Sequence, residues 1–326
     1  MINHKAIFEV HSDRAFEALA LEIFQYQFEN NPIYRSFCDL LCIHPSSVST
    51  ILEIPFLPIE FFKSKPVLST TNPIEKTFTS SGTTGSVVSK HFVSDLEIYH
   101  HSFEKGFRHF YGDIKDYTIL ALLPSYLERD GSSLVYMINH LINSSKNKNS
   151  GFYLKDLEQL KNQLFQLENN SKKTLLVGVT FALLDLVETY QFDLKNTIVM
   201  ETGGMKGKRK ELIREELHGI LKSGFGVNTI HSEYGMTELL SQAYSIGNGK
   251  FRCPPWMKVL IRDPEDALTI QNHSKTGGIN IIDLANINSC SFIATQDLGK
   301  LNSDGTFEII GRFDNSDIRG CNLMAL

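Results

Sequence analysis

The sequence predicts an α/β protein, a mostly parallel sheet flanked by helices and followed by a β-rich C-terminal part. Three observations carry that expectation. Between residues 117 and 231 short apolar runs alternate with amphipathic segments, the rhythm of strands joined by right-handed crossovers. Past Cys253 the runs at 257–261, 278–282, 291–295 and 307–310 are separated by Asp, Asn and Gly turns, with little helical periodicity. A chain of 326 residues makes roughly two domains or one large one and buries about three quarters of its unfolded surface.

Taken in order, Phe16, Leu19, Ile23 and Tyr26 step by three or four across residues 13–31, and Pro32 closes that helix. Pro55 and Pro58 force an extended path. Residues 75–78 read as a short strand entering a Ser/Thr/Gly loop. Ser94 and Glu97 form a capping box for a helix with Tyr99, Phe103, Phe107 and Phe110 on one stripe. The spacing then predicts strands at 117–123, 174–179, 196–201 and 227–231. Helices are expected at 132–142, 157–167, 181–190 and, after the break at Gly203 and Gly204, at 206–222.

Composition narrows the function. Hydrophobic content of 42% with 21% charged residues is ordinary for a globular protein, and a net charge of −5 argues against broad nucleic-acid binding. No apolar run approaches the ~18 residues of a membrane span, and no signal-peptide core follows residues 1–5, so the expected location is cytoplasmic. The five cysteines are odd in number and lack zinc-site spacing, which predicts reduced thiols.

In open α/β sheets ligands sit beyond the carboxyl ends of strands, so three loops matter most. Residues 79–86 are an unbroken run of hydroxyl and glycine residues, whose donors suit a phosphate; by composition alone the run equally suits a mobile surface loop. No lysine follows Gly85 directly, so it is not the G-x-x-x-x-G-K-[ST] loop. At 201–205 paired glycines let a flat ring approach the backbone, or simply turn a strand into a helix. The third loop is His231-Ser232-Glu233-Tyr234-Gly235-Met236-Thr237-Glu238.

Tyr234 to Glu238 resembles a core motif of the adenylate-forming superfamily of acyl-CoA synthetases, adenylation domains and luciferases. Residues 79–85 are similar to its T-S-G-T-T-G loop with one extra serine, and Asp297-Leu298-Gly299 followed by Gly311-Arg312 resembles its third element. The motifs keep the family's order over residues 75–320. Within it the chain looks most like the acyl-protein synthetase, LuxE-like branch, with phenylacetate-CoA ligases more distant. The features are residues 123–129, Gly203-Gly204-Met205-Lys206-Gly207 and Arg319-Gly320-Cys321-Asn322-Leu323.

The resemblance implies the large N-terminal domain of the adenylate-forming fold, with residues 1–252 as nucleotide- and acyl-binding core and 253–326 as a β-rich subdomain ending in a cysteine-bearing tail. It implies ATP-dependent activation of a carboxylic, fatty acid to acyl-AMP, with ATP and Mg²⁺ required. Ser80, Ser81, Gly82, Thr83, Thr84 and Gly85 are expected to cradle the outer phosphates, Thr237 the α-phosphate, and Glu238 the Mg²⁺. Tyr234 is expected to stack on adenine beside Gly203 and Gly204, Asp297 to bind the ribose hydroxyls, and Arg312 the ribose or a phosphate. Glu238 also fits a first-turn helix residue and Asp297 a turn former. His231 fits either an acyl-pocket wall or a core histidine.

Two departures shape the expectation. The family's Pro-Lys pair after the loop is replaced by Val87 and Val88, with Lys90 two residues on. The mobile C-terminal lid is expected to be absent, because six residues follow Gly320. Acyl transfer to Cys321, with Arg319 favouring its thiolate, and then to an acyl-accepting protein such as a reductase or carrier, is the implied second half-reaction. Cys321 also fits an incidental tail cysteine. The alternatives are a nucleotide or acyl-adenylate sensor without turnover, and a CoA ligase or acyltransferase completed by another chain.

Overall fold

The computed structural model describes residues 4–80, 87–123, 131–153, 156–203, 212–271 and 274–313. A short helix α1 (His4–Ile7) precedes α2 (Asp13–Asn30) and α3 (Pro32–Leu40). The Ser12 hydroxyl caps α2 by accepting from the Ala15 N–H, and Asn31 caps α3 by accepting from Ile33 and Tyr34, with Pro32 in the first turn where its missing N–H costs nothing. Strand β1 (Leu57–Pro58) and helix α4 (Phe61–Ser64) follow, then the hairpin β2 (Lys76–Thr79) and β3 (Lys90–Val93).

The main body alternates as the sequence predicts. It runs α5 (Leu96–Tyr111), β4 (Thr118–Leu122), α6 (Ser133–Ser145), β5 (Gly151–Phe152), α7 (Leu157–Asn169), β6 (Thr174–Gly178), α8 (Thr180–Thr189), β7 (Thr197–Glu201), α9 (Arg214–Phe225) and β8 (His231–Tyr234). Six strands follow: β9 (Ala243–Ser245), β10 (Phe251–Arg252), β11 (Met257–Arg262), β12 (Thr276–Asp283), β13 (Phe292–Leu301) and β14 (Phe307–Arg312).

Among the described residues twelve of these strands form one sheet, in the order β11-β12-β13-β14-β10-β9-β8-β7-β6-β4-β5, with β1 alongside β13. From β5 to β8 the pairing is parallel; from β8 to β11 it is antiparallel. Every residue of β4 and β6 is buried, as expected of parallel strands covered on both faces. Leu120, Leu176, Val177, Leu183, Phe225 and Ile281 are fully buried in this core.

Three local readings need correction. The Ser94 capping box does not form; Asp95, in extended conformation, is the cap and accepts from the Glu97 N–H at 3.0 Å, while the Ser94 hydroxyl is turned inward and buried. Residues 212 and 213 are not helical, so α9 starts at Arg214 rather than near 206; residues 204–211 lie outside the described residues. The strand expected at 227–231 runs instead from His231 to Tyr234. Its polar residues are strand because β7 and β9 supply ladder partners on both sides, Glu201 opposite Ser232 and Tyr244 opposite Glu233.

The N-terminal helices bear on the site through one buried amide. Gln27 donates to the carbonyls of Asn286 (3.1 Å) and Ile287 (2.8 Å), and its carbonyl accepts from Ser291 N–H at 2.9 Å. This fixes the turn after β12, which carries Asn286.

Candidate active site

Of the expected site residues, Ser81, Gly82, Thr83, Thr84, Gly85, Gly204 and Cys321 lie outside the described residues. The base of the Ser/Thr/Gly loop is described. Ser80 N–H donates to the Ser89 carbonyl at 3.1 Å, and the Ser80 hydroxyl accepts from Ser89 N–H at 2.9 Å. The Ser89 hydroxyl in turn favours the ionised form of the Glu238 carboxyl. The two ends of the loop are thus pinned to each other.

Glu238 is 5% exposed. Burial pushes its pKa above the ordinary carboxylate range, opposed by Ser89 and, at longer reach, by Lys63 and Arg312. It sits in a turn rather than a helix, so a favourable helix dipole does not account for it. Thr237 and Glu238 are held through their backbone. Asn286 donates one amide hydrogen to the Glu238 carbonyl (2.8 Å) and one to that of Cys290 (2.9 Å), which turns its oxygen towards His91 Nε2 at 2.9 Å. His91 Nδ1 is 2.8 Å from the Thr237 carbonyl. Asp283 completes the frame by accepting from Leu240 N–H, Ser241 N–H and the Ser241 hydroxyl at 2.8, 2.9 and 2.6 Å.

His91 is under opposed demands, since both ring nitrogens face oxygen acceptors while the ring is 1% exposed. Burial is the larger effect and pushes its pKa down to about 4. The folded state therefore resists a proton that the unfolded chain accepts below 6.5. Stability should be fully present above that pH and fall as pH drops towards 4, by up to ~3 kcal/mol for this ring. Urea denaturation across that range measures it, and His91→Gln should flatten the corresponding part of the slope.

At the other end of the motif the Tyr234 hydroxyl donates to Asp297 Oδ2 at 2.8 Å, and Arg312 Nε lies 3.1 Å from Asp297 Oδ1. Asp297 and Arg312 are cross-strand partners of β13 and β14. The Tyr234 ring is 7% exposed, with Phe251 and Phe307 edge-on at 6.0 and 5.8 Å. Burial, and then Asp297, raise its pKa well above the ordinary phenol range. Gly203 has φ +71, which favours glycine; a Cβ built there meets nothing within 4 Å, so the backbone face is open. Its N–H donates to Glu201 at 2.7 Å.

His231 is half-buried, its Nδ1 3.3 Å from the Tyr111 hydroxyl, and burial pushes its pKa down to about 4. Behind this end of the sheet lies a narrow apolar pocket with room for about one water, lined by residues of α5, α6, β6 and β7 together with Thr202, Glu233 and Tyr244. His231 does not line it. Ser89, His91, Asp283 and Asn286 carry no motif signal, and only their folded partners mark them as part of the site.

A sheet whose parallel half ends in these loops, closed by an antiparallel half carrying Asp297, is the fold of acyl-CoA ligases of the adenylate-forming class. A crystal structure of 2-hydroxyisobutyryl-CoA ligase with 2-HIB-AMP and CoA superposes on 93% of this chain and 70% of its own at a TM-score of 0.67 and 13% identity. ATP-bound MatB from Rhodopseudomonas palustris does so over 74% of this chain and 49% of its own, at 0.55 and 18%. At such identities the likeness is one of fold. The chain belongs to the acyl-protein synthetase family, LuxE, whose profile matches residues 6–325. The long-chain-fatty-acid–luciferin-component ligase of Vibrio harveyi is 24% identical over 92% of this chain and 84% of its own. That of Aliivibrio fischeri is 25% identical over 94% and 86%. Among the described residues no helix is long and apolar enough to cross a membrane.

Proposed function

We propose that this chain activates a carboxylic acid with ATP and passes the acyl group to a thiol. A substrate carboxylate oxygen attacks the α-phosphorus of ATP; the bond to the leaving oxygen breaks, giving acyl-AMP and pyrophosphate. The carboxylate is already a nucleophile at neutral pH, so the protein's task is to position it and offset phosphate charge. The observation that carries this reading is the bond from the Tyr234 hydroxyl to Asp297 at 2.8 Å, with Arg312 3.1 Å from the same carboxylate, which joins the Tyr234–Glu238 motif to the Asp297 and Arg312 element.

In this reading residues 80–85 hold the outer phosphates through N–H and hydroxyl donors, and Thr237 the α-phosphate. Asp297, preset by Tyr234 and Arg312, accepts from the ribose hydroxyls. Adenine lies over the open backbone at Gly203, against the rim of Tyr234, with Gly204 as a further proposed contact. Glu238 suits Mg²⁺: its carboxylate has no bonded Lys or Arg among the described residues. These residues hold no cluster of three or more His, Cys, Asp or Glu side chains that could take a metal. One carboxylate completed by phosphate oxygens and water is a usual Mg²⁺ environment. When bound, the ion neutralises phosphate charge. The acyl group then moves to the Cys321 thiolate and on to an acyl-accepting protein, AMP leaving with the bridging oxygen. The curated relatives name a long-chain fatty acid as their acid, and a fatty acid is the proposed class here.

The test is exchange of labelled pyrophosphate into ATP, measured with and without a panel of carboxylic acids. Acid-dependent exchange is expected; ATP binding by calorimetry with no exchange for any acid would favour a sensor without turnover.

A further inference from the structure

The pocket behind β7 and β8 is apolar except at Thr202, Glu233 and the Tyr244 hydroxyl, and the first two have no hydrogen-bond partner among the described residues. Phe107, Leu134, Met137, Leu175 and Met200 supply most of its wall. Among the described residues the Glu233 carboxyl meets the charge of Glu201 and no hydrogen-bond donor, and Thr202 Oγ1 is buried with no partner. Leaving either group unpaired in an apolar cavity is unfavourable, whereas a ligand that pairs both gains what the fold lacks.

The carboxyl is also aimed. Glu233 shares the α5-facing side of β8 with His231, while Ser232 and Tyr234 face the other way into the sheet's far layer. Its Oε1 folds back over Gly235, where a Cβ would come within 2.4 Å of it. Gly235 therefore makes room for the carboxyl, which lies beside the turn leading to Thr237. Removal from water, and then the Glu201 carboxylate, push the pKa of Glu233 up to about 8, so at neutral pH it is a neutral group able to donate and to accept. Thr202 is at the carboxyl end of β7, next to Gly203. Both groups thus stand at the strand ends where the reacting carboxylate would sit, not at the remote end of the cavity.

From this geometry we infer that Glu233 and Thr202 set substrate choice by pairing with a hydroxyl or amine carried on the first few carbons of the acid. The inference rests on acid activation as proposed above and narrows it, from a fatty acid to one substituted near its carboxyl group. An unsubstituted chain leaves both polar groups desolvated and unpaired, and a site built to bond a substrate hydroxyl discriminates strongly against the analogue lacking it.

The test compares kcat/KM for pyrophosphate exchange with octanoate and its α-hydroxy, β-hydroxy and β-amino derivatives. The best substituted acid should exceed octanoate by ~10², the hydroxy and amino arms telling which group is preferred. Glu233→Leu should collapse that ratio towards unity, and Glu233→Gln, which keeps a donor and an acceptor, should largely keep it. Thr202→Val, a near-isostere, supplies a second reading if Glu233→Leu does not fold, and should lower the ratio as well. A wild-type preference for octanoate, or ratios that neither Glu233→Leu nor Thr202→Val moves, overturns the inference while leaving acid activation standing. Absence of exchange with every acid removes both.

Discussion

Glu238→Gln should lower acid-dependent pyrophosphate exchange by about 10²–10³, the usual scale for removing one fixed electrostatic group from a reacting centre. Glutamine keeps the volume and the Ser80–Ser89 bonds at the loop base are untouched, so the fold should stay intact. What it removes is the charge that would hold the cation against the phosphates. The residue's own titration supplies a second signature. Because burial raises its pKa, the ionised form, and with it wild-type exchange, should increase as pH rises through that raised value. Thermal denaturation with matched midpoints, together with exchange within threefold of wild type, would remove Glu238 from the mechanism.

Cys321→Ser should abolish the covalent acyl-protein while leaving pyrophosphate exchange near wild type, since adenylation precedes the thiol's attack. The described cysteines narrow the alternatives. Burial pushes the thiols of Cys38 and Cys253 up to about 12 and raises Cys290 as well, so none of the three offers a thiolate at neutral pH. Cys42 is exposed and is the control: Cys42→Ser should retain the acyl-protein. Mass analysis after incubation with ATP and a labelled acid reads both variants. Label remaining on Cys321→Ser would assign the acceptor elsewhere.

The parts of the fold visible in the sequence are those where one kind of pattern dominates. The strands at Thr118–Leu122 and Thr174–Gly178 are buried throughout, and an unbroken apolar run announces such a strand. Tyr234, Thr237, Glu238 and Asp297 stand out as candidates because they fall in spaced motifs. β8 was not, because His231, Ser232 and Glu233 are polar and become strand only between two neighbours supplied from elsewhere. The support under the Thr237–Glu238 turn was equally hidden. His91 meets Thr237 across 146 residues and Asn286 across 195, separations that leave no local trace. The Thr202 hydroxyl and the Glu233 carboxyl, without hydrogen-bond partners among the described residues, likewise have meaning only once the pocket they line exists.

The claim at the centre of this account is attack by a carboxylate on the α-phosphorus. It is tested most directly with an acid labelled with oxygen-18 in its carboxyl group, turned over with ATP and hydroxylamine as acyl acceptor. Attack at the α-phosphorus followed by cleavage on the acyl side predicts AMP carrying one oxygen-18 atom, with unlabelled pyrophosphate. Label in inorganic phosphate alongside ADP, or AMP without label, would contradict it.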